Sequence, residues 1–290
     1  MKGFIILIIL IIVMLILWSL AIREQMKMLY RPLKEHRWIP SYSYKNLNVE
    51  GMDVWYFDTF NQLKSRNIDN KVILHCHGNT GNISHLKEII SLAYLQKYNI
   101  LVFDYYGYGK SIGSPHPDVQ YKNGETIYQY MIKELKINSK DIIIWGESLG
   151  GSVATHIASK YDCYALILLS TFSSLDDLLR DKIPRFKTLF APIITRNLFN
   201  TLPSKDKIKN VKCPVAILHS VDDDIIPIES AERLYNNISH NAKRLIKIKG
   251  IHSNPIISID NIEELFSFVG MDISDCKYAS RLLEYLKEAI

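Results

Sequence analysis

Apolar residues follow two regimes along this chain. Residues 3–22, GFIILIILIIVMLILWSLAI, carry no charge at all. Farther on, apolar residues recur as short runs at 71–76, 100–103, 142–145, 165–169, 215–219 and 244–248. Each run is too continuous to leave one face in water, so each predicts a strand covered on both sides. Between them, apolar residues return every three to four positions at 84–97, 118–135, 151–160, 228–237 and 261–268 and predict helices. A terminal amphipathic helix is expected over 277–289. Residues 44–50 and 52–60 alternate in polarity about Gly51 and predict two more strands. Strands alternating with helices imply an α/β fold, a mostly parallel central sheet with helices on both faces. Ligands of such sheets bind beyond the carboxyl ends of the strands.

The uncharged run is long enough to matter by itself. At ~1.5 Å per residue it spans ~30 Å, the hydrocarbon thickness of a bilayer, so residues 1–22 are expected to form a single transmembrane anchor. Trp18 falls where interfacial aromatic residues sit. A cleaved signal peptide would have a shorter apolar core and a small-residue cleavage site, whereas Arg23-Glu24-Gln25 follows here. Residues 23–40, with Pro32 and Pro40, read as a basic juxtamembrane tether, and 41–290 as the main domain. Arg23, Lys27, Arg31, Lys34 and Arg37 follow the run and only Lys2 precedes it, which places the main domain on the cytosolic side.

Charge and cysteine usage narrow the classes further. Lys and Arg number 35 against 30 Asp and Glu, a net +5 with no basic stripe interleaved with aromatics, so no nucleic-acid partner is expected. Cys76, Cys163, Cys213 and Cys276 are widely spaced without a C-x-x-C pair and read as small core residues rather than a disulfide framework.

Candidate chemistry centres on residues 141–151, DIIIWGESLGG. A buried strand runs into Gly146-Glu147-Ser148-Leu149-Gly150 and then into a helix, the context in which G-x-S-x-G is a nucleophile elbow. Ser148 must occupy a strained turn to stand clear of the sheet, and side chains at 146 or 150 would strike neighbouring strand or helix. A serine hydroxyl needs an imidazole to take its proton and a carboxylate to orient that imidazole. The order expected in such a sheet is Ser, acid, His. His252, just past the final strand, is the candidate base; His240 is the other histidine after the acid cluster and precedes that strand. The candidate acids are the consecutive Asp222, Asp223 and Asp224; spacing alone does not choose among them, and Asp223 is ranked ahead of Asp222. Oxyanion donors are expected from the backbone amides of Leu149 and Asn79, with Gly78 letting the chain turn inward. His77 precedes the serine at a strand end and reads as structural.

Taken together, HGNTGN at 77–82, FDYYGYGKS at 103–111, GESLG at 146–150, the Asp run before Ile225-Ile226-Pro227, and Gly250-Ile251-His252 resemble the α/β-hydrolase superfamily, most of all the membrane-anchored Bem46 and ABHD13-like serine hydrolases. The resemblance covers about residues 45–270. It implies that the triad acid is Asp223, that an N-terminal anchor is present, and that the domain faces the lumen, against the charge argument. Tyr106 stands where the family has Arg, and Ser220 where it has Gly.

The expected activity is hydrolysis of a carboxylic ester or thioester through an acyl-enzyme on Ser148, His252 and Asp223, with no metal or cofactor. Residues 172–206 break the strand–helix rhythm with Pro184, Pro192 and Pro203, and their aromatic and aliphatic residues read as a small helical cap. An apolar cap and a membrane anchor point to a small-molecule or lipid-like ester substrate. A peptidase or amidase on the same triad, and a non-catalytic hydrolase-like binding module, are the alternatives.

Overall fold

A computed structural model describes residues 2–41, 43–59, 71–182 and 202–271. Among these, nine strands form one sheet in the order β11-β10-β9-β8-β7-β4-β6-β3-β2. The strands are β2 (Lys45–Val49), β3 (Met52–Phe57), β4 (Val72–Cys76), β6 (Asn99–Phe103), β7 (Ile142–Glu147), β8 (Ala165–Leu169), β9 (Val215–Ser220), β10 (Lys243–Ile251) and β11 (Asn254–Ile256). Pairing is parallel from β6 across to β10 and antiparallel at the two margins, where β2, β3 and β11 join. The expected α/β architecture is therefore present, and the six apolar runs are its parallel strands.

Burial follows from that composition. β3, β4, β7, β8 and β9 are buried along nearly their whole length, whereas β10 alternates buried and exposed positions. Two apolar clusters fill the space on the sheet's two faces. One holds Ile144, Val153, Ile157, Leu168 and Ile217; the other holds Ile143, Trp145, Ile167, Leu218 and Phe266. Consecutive residues thus go to opposite cores, which is why these strands lack alternation. Helices α2 (Lys87–Leu95), α3 (Pro117–Lys133), α4 (Leu149–Lys160), α5 (Leu175–Lys182), α6 (Glu229–Asn237) and α7 (Ile259–Val269) follow a leading helix α1 (Lys2–Leu29). The sulfurs of Cys163 and Cys213 lie 3.1 Å apart as free thiols.

The segment after α1 departs most from expectation. Tyr30 is buried. Arg31–Pro32 forms a short parallel strand, β1, with Thr80–Gly81, β5. The Leu33 amide donates to the Gly81 carbonyl, and the Leu33 carbonyl accepts from the Gly109 amide, both at 3.0 Å. Asn82 Nδ2 donates to the carbonyls of Leu33 and Glu35 at 3.0 and 2.8 Å. Residues 30–37 are thus bonded into the domain instead of lying as a free tether. Polar backbone groups satisfied by neighbours leave no hydrophobic periodicity, so the sequence pattern could not reveal this.

Among the described residues no helix is long and apolar enough to cross a membrane. Residues 2–29 form one helix, several of whose side chains lie outside the described set, so the expected anchor over 3–22 is not established by it. Most of the expected cap over 172–206, and the helix expected over 277–289, also lie outside the described residues; α5 belongs to the first part of the cap segment.

Candidate active site

The elbow is built as the glycines require. Ser148 has φ 51° and ψ −119°, a left-handed backbone that a non-glycine residue holds at a cost of ~1–3 kcal/mol. A Cβ on Gly150 would come 2.0 Å from the Cys76 carbonyl oxygen and 2.4 Å from that of His77. A Cβ on Gly146 would come 2.6 Å from Ala154 Cβ. The close approach of α4 to β4 and β7 thus depends on missing side chains. Ser148 itself is tied down: its amide donates to the Leu169 carbonyl at 2.9 Å and its carbonyl accepts from Thr171 Oγ1 at 2.6 Å. The Thr171 contact was not foreseen, because it joins the elbow to the end of the next strand.

His252 lies in the β10–β11 turn, and its ring meets the serine that follows β7. Ser148 Oγ is 3.0 Å from His252 Nε2, and His252 Nδ1 is 2.8 Å from Asp223 Oδ2. The carboxylate accepts at Nδ1, which makes Nδ1 the protonated nitrogen and leaves Nε2 to accept from the hydroxyl. Asp223 Oδ1 accepts from the amides of Ile225 and Ile226 at 2.9 and 2.7 Å, and the carboxyl is fully buried. Burial pushes the Asp223 pKa up, but the His252 imidazole and the two amides outweigh it, and the carboxyl is held below the usual carboxylate range.

The neighbouring aspartates differ. Asp224 Oδ1 accepts from the His252 amide at 3.0 Å, while the Asp222 amide donates to Ser220 Oγ at 3.1 Å. Ser220 Oγ in turn donates to the Gly250 carbonyl. Serine in place of the family's glycine thus crosslinks the acid loop to the histidine hairpin. Tyr106, in place of the family's arginine, donates from its hydroxyl to the Glu50 carbonyl at 2.6 Å, and its amide donates to Asn123 Oδ1 at 2.9 Å. The loop therefore has its own anchors.

On the oxyanion side, Leu149 opens α4, so its amide has no intrahelical acceptor. Gly78 faces the serine: a Cβ there would lie 3.5 Å from Ser148 Cβ. Asn79 is fixed from three directions. Its carbonyl accepts from the Arg31 amide at 2.9 Å and from the Tyr108 hydroxyl at 2.8 Å, and its Nδ2 donates to the Leu29 carbonyl at 3.1 Å. His77 is buried against the Tyr105 and Tyr108 rings, with Nδ1 on the Gly78 carbonyl at 2.8 Å; burial lowers its pKa, against the pull of Asp104. Glu147, the variable residue of the elbow, is pushed up by burial, opposed by His252.

A cavity of about 530 Å³ opens beside this site, on the sheet face opposite α4. It is lined by Trp145, Leu169, Leu218 and Phe266 with Glu88 and Glu147, and it reaches Ser253 and Asn254 next to His252.

Comparison with known proteins speaks to the fold and the family. Residues 71–208 match the family model described as the alpha/beta hydrolase fold. An uncharacterized protein, R595, of Acanthamoeba polyphaga mimivirus is 37% identical over 208 residues, covering 66% of this chain and 70% of that protein. Protein bem46 of Schizosaccharomyces pombe is 30% identical, covering 63% of this chain and 62% of its own length. The lysophosphatidylserine lipase ABHD12 of Danio rerio is 30% identical, covering 63% of this chain but 49% of its own. The chain thus spans less than two thirds of these last two proteins. Among solved structures, the Pyrococcus furiosus esterase Pf2001 superposes with a TM-score of 0.61 at 18% identity, covering 89% of this chain and 98% of that one. By its family match, its relatives and its topology, the chain belongs to the α/β-hydrolase superfamily and, within it, resembles the Bem46-like proteins.

Proposed function

We propose that this hydrolase is a serine esterase or thioesterase acting through an acyl-enzyme. The observation that carries the reading is the unbroken chain Ser148 Oγ, His252, Asp223, at 3.0 and 2.8 Å. In the first step His252 Nε2 takes the hydroxyl proton as Ser148 attacks the acyl carbon. Asp223 stabilises the imidazolium and holds its orientation. The amides of Asn79 and Leu149 receive the oxyanion. His252 then protonates the departing alcohol or thiol, and a water activated by the same imidazole releases the acid.

A lipid-like substrate is part of the proposal. Val221, Ile225 and Ile251, which flank the acid loop and His252, are apolar and exposed. Exposed aliphatic residues beside a reactive centre suit an acyl chain better than a polar ester. Lysophosphatidylserine lipase relatives support the same class. A membrane anchor over residues 3–22 is supported by the uncharged sequence and by nine successive apolar side chains, 8–16, that face outward from α1 with no core against them. The basic residues after it support a cytosolic domain.

Hydrolysis of p-nitrophenyl esters of rising acyl length tests both parts. Replacement Ser148→Ala should lower kcat by roughly 10⁴-fold or more. Undiminished turnover in that variant would end the catalytic reading, and turnover confined to acetyl esters would end the lipid-like one.

A further inference from the structure

A second cluster of ionisable side chains lies away from the triad. His36 comes from the segment that follows β1, Asp53 from β3, and Asp104 from the position just after β6. His36 Nε2 is 3.5 Å from Asp53 Oδ2 and 3.9 Å from Asp104 Oδ2, and all three side chains are more than nine-tenths buried. These three atoms lie within 4.8 Å of one another. None of the three has a hydrogen-bond partner among the described residues.

Other groups of these residues are engaged, so the orphaned atoms are not a sign of loose placement. Asp104 Oδ1 accepts from the Ile83 amide at 2.8 Å, and the Asp104 carbonyl accepts from Ser111 Oγ at 2.7 Å. The Asp53 amide donates to the same Ser111 Oγ at 2.9 Å. The His36 ring stands edge-on to Trp55 with centroids 5.2 Å apart. Space for the inward carboxylate exists only because residue 109 is glycine: a Cβ there would sit 1.9 Å from Asp104 Oδ2.

We propose that His36, Asp53 and Asp104 bind one divalent transition-metal cation, with zinc the best match to one imidazole and two carboxylates. Donors held ~2.0–2.1 Å from a tetrahedral ion stand ~3.4 Å apart, close to the 3.5 Å between His36 Nε2 and Asp53 Oδ2, and the 3.9 Å to Asp104 Oδ2 would close slightly on binding. A lone imidazolium fits less well, because its single Nε2–H cannot satisfy two carboxylate oxygens and here bonds to neither. Hard cations such as calcium or magnesium favour all-oxygen shells with more ligands.

The site would clamp the chain after α1 onto the domain. His36 follows the residues that bond to 79–82, and Asp104 holds the Ile83 amide, so the ion would brace the loop that carries Asn79. It takes no part in the acyl chemistry.

The full-length protein, purified in detergent without chelator and freed of any histidine tag, tests this by elemental analysis. About one equivalent of zinc per chain is expected. After chelator treatment, titration with Co²⁺ should restore the intense visible bands of tetrahedral cobalt. Both signals should vanish in His36→Ala and in Asp53→Asn and persist in Ser148→Ala. Should His36→Ala fail to fold, His36→Gln keeps the ring's volume without its coordinating nitrogen. Folded wild type that holds no metal and takes up neither Zn²⁺ nor Co²⁺ would overturn the proposal, as would a cobalt spectrum that survives the ligand variants. Metal content and the cobalt spectrum are read without any substrate, so this test stands apart from that of the triad.

Discussion

His252 and His36 each face aspartate, and the two arrangements differ in almost every measurable respect. His252 stands 2.8 Å from Asp223 and 3.0 Å from Ser148, and Asp223's second oxygen is filled by two amides. His36 stands 3.5 and 3.9 Å from its two aspartates and bonds to neither. The first has the geometry of a directional relay at the edge of solvent, with the imidazole side chain 14% exposed. The second is a sealed cluster spaced for something between its atoms. Residue type is therefore a poor guide to role; spacing and satisfaction of each polar atom separate a proton relay from a ligand cage.

The relay half of the comparison can be broken by graded substitution. Replacing His252 with Ala removes the base, and kcat should fall on the order of 10⁶-fold on an ester substrate. Asp223→Asn leaves the shape but mis-orients the imidazole, for a loss on the order of 10⁴-fold. Asp224→Ala removes one acceptor from the His252 amide at an exposed position, and kcat/KM should drop by roughly 3–10-fold. Asp222→Ala, exposed and outside the relay, should change it by about 2-fold at most. An Asp222 effect rivalling that of Asp223 would show that the acid had been misassigned.

Two stability measurements sharpen the same contrast. Gly150→Ala drives a methyl into the Cys76 carbonyl and should cost ~1–3 kcal/mol in denaturant unfolding. Because the folded Asp223 pKa is depressed, the unfolded chain binds more protons in acid, and stability rises with pH there. That contribution is complete above the ordinary carboxylate pKa of ~3.9 and is lost as pH falls through the lower folded value. Asp223→Asn should flatten this acid limb; an unchanged slope would deny that the carboxylate is ionised and bonded in the native state.

The sheet was legible because parallel strands buried on both faces write themselves as continuous apolar runs, and 165–169 appears with the bounds its pattern predicts. The elbow was legible because Gly146 and Gly150 have a steric reason to be glycine. Asp223 was not separable from Asp222 by spacing; the amides of Ile225 and Ile226 that single it out are backbone groups, which side-chain patterns do not report. The Asn254–Ile256 strand hides behind Pro255, a residue that argues against a strand except at an edge, and the edge is where it lies. β1 and β5 pair only two residues each and carry no periodicity. The His36 cluster assembles from three distant stretches, of which only Asp104, in FDYYGYGKS, lies in a motif, so no local pattern announces it.

The central claim is that one hydroxyl in this chain is activated, and a fluorophosphonate probe reads that directly. Labelling of the folded wild type, followed by peptide mass analysis, should give a single adduct on Ser148 that disappears in His252→Ala. A folded wild type that stays unlabelled, or one labelled at a different serine, would contradict the account.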